Sequence, residues 1–163
     1  MTTEVGEYFV GAYLKLILKC DFVDYNVCPP GGGLKGLEEL DVLGLDFKAH
    51  TTYLCEVTTH ITGLQYGNYK ETVERIQKKY ERQKSYALDY LDDFPIKHFM
   101  FWSPVVPIGA LSESLNNITG MELIINGEYK KRIDELKQLA KATSHDTKNP
   151  FFRVLQILEH LRE

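Results

Sequence analysis

Two carboxylates in this chain stand where a strand pairing would bring them together. Asp41 lies in Leu40-Asp41-Val42-Leu43 and Glu56 in Leu54-Cys55-Glu56-Val57, two β-prone runs on either side of the polar interruption Lys48-Ala49-His50. A tight turn about residues 48 and 49 makes positions 41 and 56 equidistant from its midpoint and therefore cross-strand neighbours. Directly opposed residues of an antiparallel pair have Cβ atoms about 4.5–5.5 Å apart, and like charges there repel. Such a pair needs a counter-charge. A divalent cation, Mg²⁺ or Mn²⁺, would supply it, since either takes carboxylate oxygens and keeps waters that serve as nucleophile and proton donor in phosphodiester cleavage. The apolar setting adds weight, because a carboxylate inside such a run is costly unless paired or metal-bound. The competing reading leaves one or both acids pointing to solvent on the polar face of an alternating strand.

The elements that must position these acids are legible from periodicity. Residues 3–20 carry Val5, Phe9, Ala12, Tyr13, Leu16 and Ile17 on one helical stripe, with Glu7 in the first turns. A short strand over 24–28 stops at Pro29-Pro30-Gly31-Gly32-Gly33. The strands 37–47 and 51–59 form the expected hairpin, and Cys55 reads as a core residue. Residues 69–92, with Val73, Ile76, Tyr80, Ala87 and Leu91, make a long amphipathic helix. A strand covered on both faces over 96–106, a short helix over 112–118 and a fifth strand over 121–125 follow. Helices over 128–143 and 149–162 close the chain, the last with Asn149 as N-cap and Pro150 at the first helical position. Its apolar stripe, Phe151, Phe152, Val154, Leu155, Leu158 and Leu161, reads as core, with a dimer seam as the alternative.

Three segments in this order resemble the PD-(D/E)XK nuclease superfamily, in particular its Holliday-junction-resolvase-like and Mrr-like restriction-endonuclease branches. They are Gly6-Glu7-Tyr8 on the first helix, Glu39-Leu40-Asp41-Val42-Leu43-Gly44, and Cys55-Glu56-Val57-Thr58. The resemblance covers the order of elements from residue 3 to about 106. It implies an α/β restriction-endonuclease-like fold, a central mixed five-stranded sheet flanked by helices, in the order αβββαβ followed by αβαα. It also implies that Asp41 and Glu56 ligate the metal and that Glu7 is an auxiliary ligand or water-positioning group. Glu7 has a plainer reading as a first-turn glutamate favoured by the helix dipole. The chain departs from the family at Thr58, which stands where a lysine two residues after the glutamate is expected. That lysine orients the attacking water and stabilises developing negative charge, which a neutral hydroxyl cannot do. Strand alternation would put Glu56, Thr58 and His60 on one face, so His60 could substitute in part, or Lys70 could reach back.

Overall the chain is acidic, with a net charge of -4 over 163 residues, so any nucleic-acid contact must come from a local basic patch. Between residues 69 and 84, Lys70, Arg75, Lys78, Lys79, Arg82 and Lys84 outnumber Glu71, Glu74 and Glu81. With Gln77, Tyr80, Gln83 and Tyr86 interleaved, this helix is the candidate DNA-binding surface; a solvated face with ordinary i,i+4 pairs is the alternative. Gly31–Gly33 with Leu34-Lys35-Gly36 lacks the spacing of a nucleotide-binding P-loop. Cys20, Cys28 and Cys55 are an odd, scattered set that suits neither a disulfide framework nor a zinc ribbon. With no secretory pattern at Met1-Thr2-Thr3-Glu4, a single cytoplasmic domain is expected. The expected activity is a metal-dependent deoxyribonuclease, acting alone, as a homodimer or with a partner; the rival is a catalytically silent nuclease-like module.

Overall fold

A computed structural model describes residues 2–31 and 39–162. The expected Gly31–Gly33 loop from Gly32 onward, the run Leu34-Lys35-Gly36 and the first positions of the strand expected from residue 37 lie outside the described residues. The first helix, α1 (Val5–Ala12), starts with a capping box in which Glu4 and Glu7 satisfy each other's backbone N–H groups. It continues as a π-helical stretch, Tyr13–Ile17, and stops where Lys19 takes a left-handed conformation, φ 62°. Strand β1 (Phe22–Val27) begins two residues earlier than expected, because Asp21 N–H donates to Leu45 O at 2.8 Å and draws the chain into the sheet.

The remaining elements are β2 (Leu40–Asp46), β3 (Thr51–Val57), α2 (Tyr69–Tyr90), β4 (Ile96–Ser103), α3 (Ala110–Asn116), β5 (Met121–Ile125), α4 (Asn126–Ala142) and α5 (Pro150–His160). The five strands form one mixed sheet in sequential order. β1, β2 and β3 pair antiparallel, whereas β3–β4 and β4–β5 are parallel, each parallel step being crossed by a helix. The expected α/β sheet of five mixed strands flanked by helices is therefore present.

Alternation along the strands sends side chains to two cores. On one face Val42, Cys55, Met100, Trp102 and Ile124 pack with Phe9, Val10 and Leu14 of the first helix and with Leu136, Ala140 and Phe152 of α4 and α5. On the other face Phe101 packs with Ile76 and Tyr80 of α2 and Leu111 and Leu115 of α3, while Leu43 and Leu54 pack with Ala87 and Leu91. β4 feeds both cores, which is why Phe99, Met100, Phe101 and Trp102 are apolar on both faces. Asn149 caps α5 as expected, accepting from Phe152 N–H at 3.0 Å.

The apolar stripe of α5 divides in two, contrary to the expectation that it is all core. Phe152 and Leu155 are buried, but Val154, Ile157, Leu158 and Leu161 are exposed. At 3.6 residues per turn these side chains wrap more of the helix than the neighbouring α1 and α4 can cover. Among the described residues no helix is long and apolar enough to cross a membrane.

Candidate functional site

The β2–β3 ladder pairs Asp46 with Thr51, Leu45 with Thr52, Gly44 with Tyr53, Leu43 with Leu54 and Val42 with Cys55. One step further this register sets Asp41 against Glu56, as the turn geometry predicts. Leu43 and Leu54 point to the α2 face, so two residues along each strand Asp41 and Glu56 do too. An Asp41 carboxylate oxygen, Oδ2, accepts Val57 N–H at 2.7 Å, which ties its side chain to β3 and leaves Oδ1 for another partner. Glu56 is only 5 % exposed.

Helix α2 brings the counter-charge. Its inner stripe is Thr72, Ile76, Tyr80, Gln83 and Ala87. Buried Gln83 donates from Nε2 to Leu54 O at 3.0 Å and to Met100 O at 3.1 Å, bridging the neighbouring strands β3 and β4 and fixing the helix above them. One turn earlier, at the flank of this stripe, Lys79 extends to the sheet and its Nζ contacts Glu56 Oε1. The two side chains are 19 % and 6 % exposed, so this is an ion pair at a largely dehydrated site. Burial pulls the Lys79 ammonium below its ordinary range; the Asp41 carboxylate opposes that shift and the Arg82 guanidinium reinforces it. Burial likewise pushes Asp41 up, against the Lys79 charge, the Val57 N–H bond and the Arg82 charge.

Glu7 approaches from the start of α1 and is 7 % exposed. Its Oε2 accepts Glu4 N–H at 2.9 Å and Asn26 Nδ2 at 3.3 Å, so the residue both closes the helix cap and links α1 to β1. Burial raises its carboxyl above the ordinary value, the bond from Glu4 N–H opposes this, and the Asp41 charge adds to it. Glu7 and Asp41 are thus electrostatic neighbours. Among the described residues, however, no three carboxylate, imidazole or thiolate side chains form a ready-made metal cage.

Thr58 is buried and donates from Oγ1 to Ser103 Oγ at 2.8 Å, which binds β3 to β4 just beyond the acidic pair. His60 does not share a strand face with Glu56: β3 ends at Val57, and alternation ends with it. The His60 ring sits 5.0 Å from that of Tyr66, and its Nδ1 accepts Gln65 N–H at 3.3 Å. Lys70 is exposed on the first turn of α2, nine residues before the lysine that does reach Glu56. Of the other basic residues expected on a binding face, Lys78 is exposed, Arg75 lies over the Tyr66 ring at 4.2 Å, and Arg82 acts on Asp41 and Lys79. Tyr80 and Gln83 are core residues, Gln77 bonds Glu81, and Tyr86 is half-buried against the Leu43–Leu54 core with its ring beside Tyr90.

The sequence marks Lys79 as one of the basic residues of the helix, but not its place beside Glu56. The signal was helical phase: position 79 follows buried Ile76 by three and precedes buried Gln83 by four. Tyr66 had no such signal, since a loop carries no periodicity.

No protein-family model, no curated protein and no solved structure matches this chain.

The donor set suits a hard divalent ion. Mg²⁺ and Mn²⁺ are commonly held by one or two carboxylates, with water and phosphate oxygens completing the shell. Asp41 and Glu56 offer two such carboxylates in an environment that raises the Asp41 carboxyl by desolvation, a penalty a bound cation would relieve.

Proposed function

We propose that the protein is a divalent-metal-dependent nuclease that hydrolyses phosphodiester bonds in DNA, of restriction-endonuclease-like fold. The observation that carries this reading is the contact of Lys79 with Glu56 beside Asp41. It assembles two adjacent acids and an ammonium, the functional groups that the PD-(D/E)XK resemblance calls for, with Lys79 supplying from α2 the cation that Thr58 lacks. Asp41 and Glu56 would hold Mg²⁺ or Mn²⁺. Held there, the ion would supply a water of lowered pKa and a counter-charge for the phosphoryl oxygens. Lys79 stabilises negative charge as it develops on the phosphate, and Glu7, next to Asp41, positions the attacking water.

A second reading has an observation of its own. The Lys79 ammonium already neutralises Glu56 without any metal, which suits a catalytically silent module that binds nucleic acid or a protein partner. The two separate on a panel of DNA and RNA substrates with Mg²⁺ or Mn²⁺. The nuclease reading expects metal-dependent cutting that Asp41→Ala abolishes and that Lys79→Met lowers by about 10²–10³-fold, as for loss of one preorganised transition-state contact. A folded wild-type protein that neither cuts nor binds Mn²⁺ sinks it in favour of the silent module.

A further inference from the structure

Along α2 the residues Arg75, Lys79, Arg82, Tyr86 and Tyr90 recur every three or four positions, forming a single stripe next to the buried one. At 1.5 Å per residue the stripe runs for about 22 Å. The acidic pair lies against its middle, through Lys79 and Arg82. At one end Arg75 covers the Tyr66 ring, which is half-buried against the core under α2 and lies beside His60, and Tyr66 is close enough to Asp41 to feel its charge. At the other end a cleft of about 230 Å³ is lined by Pro29, Arg82, Ser85, Tyr86, Asp89 and Tyr90, with the two tyrosine rings 4.9 Å apart.

Aromatic rings and guanidinium groups thus flank the candidate site on both sides. Such rings can stack on a base only when that base is unpaired, whereas a duplex presents phosphates and groove edges. A duplex binder relies on many phosphate contacts. This chain has a net charge of -4, and Lys70 and Lys78, which could widen its basic surface, are exposed outside the stripe. From this arrangement we infer that the ligand of the site is a single-stranded nucleic-acid segment lying along α2, its backbone on Arg75, Lys79 and Arg82 and its bases against Tyr66 and the Tyr86–Tyr90 pair. The inference rests on reading the Asp41–Glu56 site as one that handles nucleic acid, and it adds the strand state of the substrate.

The test is fluorescence anisotropy with the wild-type protein in EDTA, using labelled oligodeoxyuridylate, oligouridylate and a DNA duplex of equal length. One of the two single strands should bind at least about tenfold more tightly than the duplex, and which one it is identifies the sugar. Tyr66→Ala and Tyr90→Ala should each weaken that binding by about tenfold, within the range of one lost stacking contact. Lys70→Ala and Lys78→Ala should leave it within about twofold, and three phosphate contacts give a log–log salt slope near -2. Circular dichroism melts identify any variant that fails to fold, and Tyr86→Leu then replaces it as the second probe of the aromatic end. Equal or tighter duplex binding, no binding of any strand, or losses confined to Lys70 and Lys78 variants would overturn the inference. Asp41-dependent cutting of duplex DNA with no strand preference removes this inference and leaves the nuclease reading intact. Strand-selective binding without cutting does the reverse.

Discussion

Replacing Lys79 by Met keeps most of the side-chain volume and removes the ammonium. Glu56, 5 % exposed, is then left without its contact cation. Breaking a buried ion pair by deleting one partner costs about 3–5 kcal/mol, because the surviving charge stays buried. The Lys79 side chain keeps 19 % exposure and Arg82 also acts on this cluster, which places the loss at the low end, about 3 kcal/mol. For a chain of this size that lowers Tm by about 6–12 °C. The assay is a thermal and urea melt in EDTA of wild type, Lys79→Met, Glu56→Gln and the double variant. The double variant should recover much of the loss, with a coupling of about 2–3 kcal/mol. Mn²⁺ then adds a second readout. A cation bound by the acidic pair raises wild-type stability by about 2.7 kcal/mol at a hundred times its Kd, and at that same concentration the gain should be larger in Lys79→Met, where no ammonium competes. A Lys79→Met protein within about 1 kcal/mol of wild type in EDTA, with no coupling to Glu56→Gln, would show that Lys79 and Glu56 do not form a stabilising buried pair.

Glu7→Gln should melt above wild type at pH 7, with the advantage shrinking as the pH falls toward 4.5, the ordinary value of this carboxyl. Burial raises the folded-state value, so the contribution of Glu7 is full below the unfolded value and lost as pH rises through the folded one; Gln keeps the capping box without ionising. Melts from acid to neutral pH check this, and an advantage that grows on acidification contradicts it. Thr58→Val should destabilise by about 1–3 kcal/mol, since the buried Ser103 hydroxyl loses its partner, and Thr58→Val/Ser103→Ala should restore most of it. Cleavage per folded molecule should persist in Thr58→Val; a stable variant that no longer cuts would place the hydroxyl in the chemistry instead.

The kind and order of the elements, though not all of their ends, and the meeting of the two acids are legible in the residue pattern alone. Periods of 2 and 3.6 in the apolar residues mark strands and helices wherever one face is buried, and the symmetry of positions 41 and 56 about a tight turn leaves one register. The sequence also marks Asn149 and Pro150 as the start of α5, because caps are local. What neutralises the acids follows from packing and not from pattern. Lys79 lies 23 residues beyond Glu56, and its approach depends on the rotation and height of α2, which Gln83 fixes by bonding two strand carbonyls. The same is true of Thr58, whose partner Ser103 comes from a parallel strand 45 residues away, and of His60, which leaves the strand face because β3 stops at Val57. Period fixes which side of an element faces inward; which side chain it meets there is set by how the elements pack.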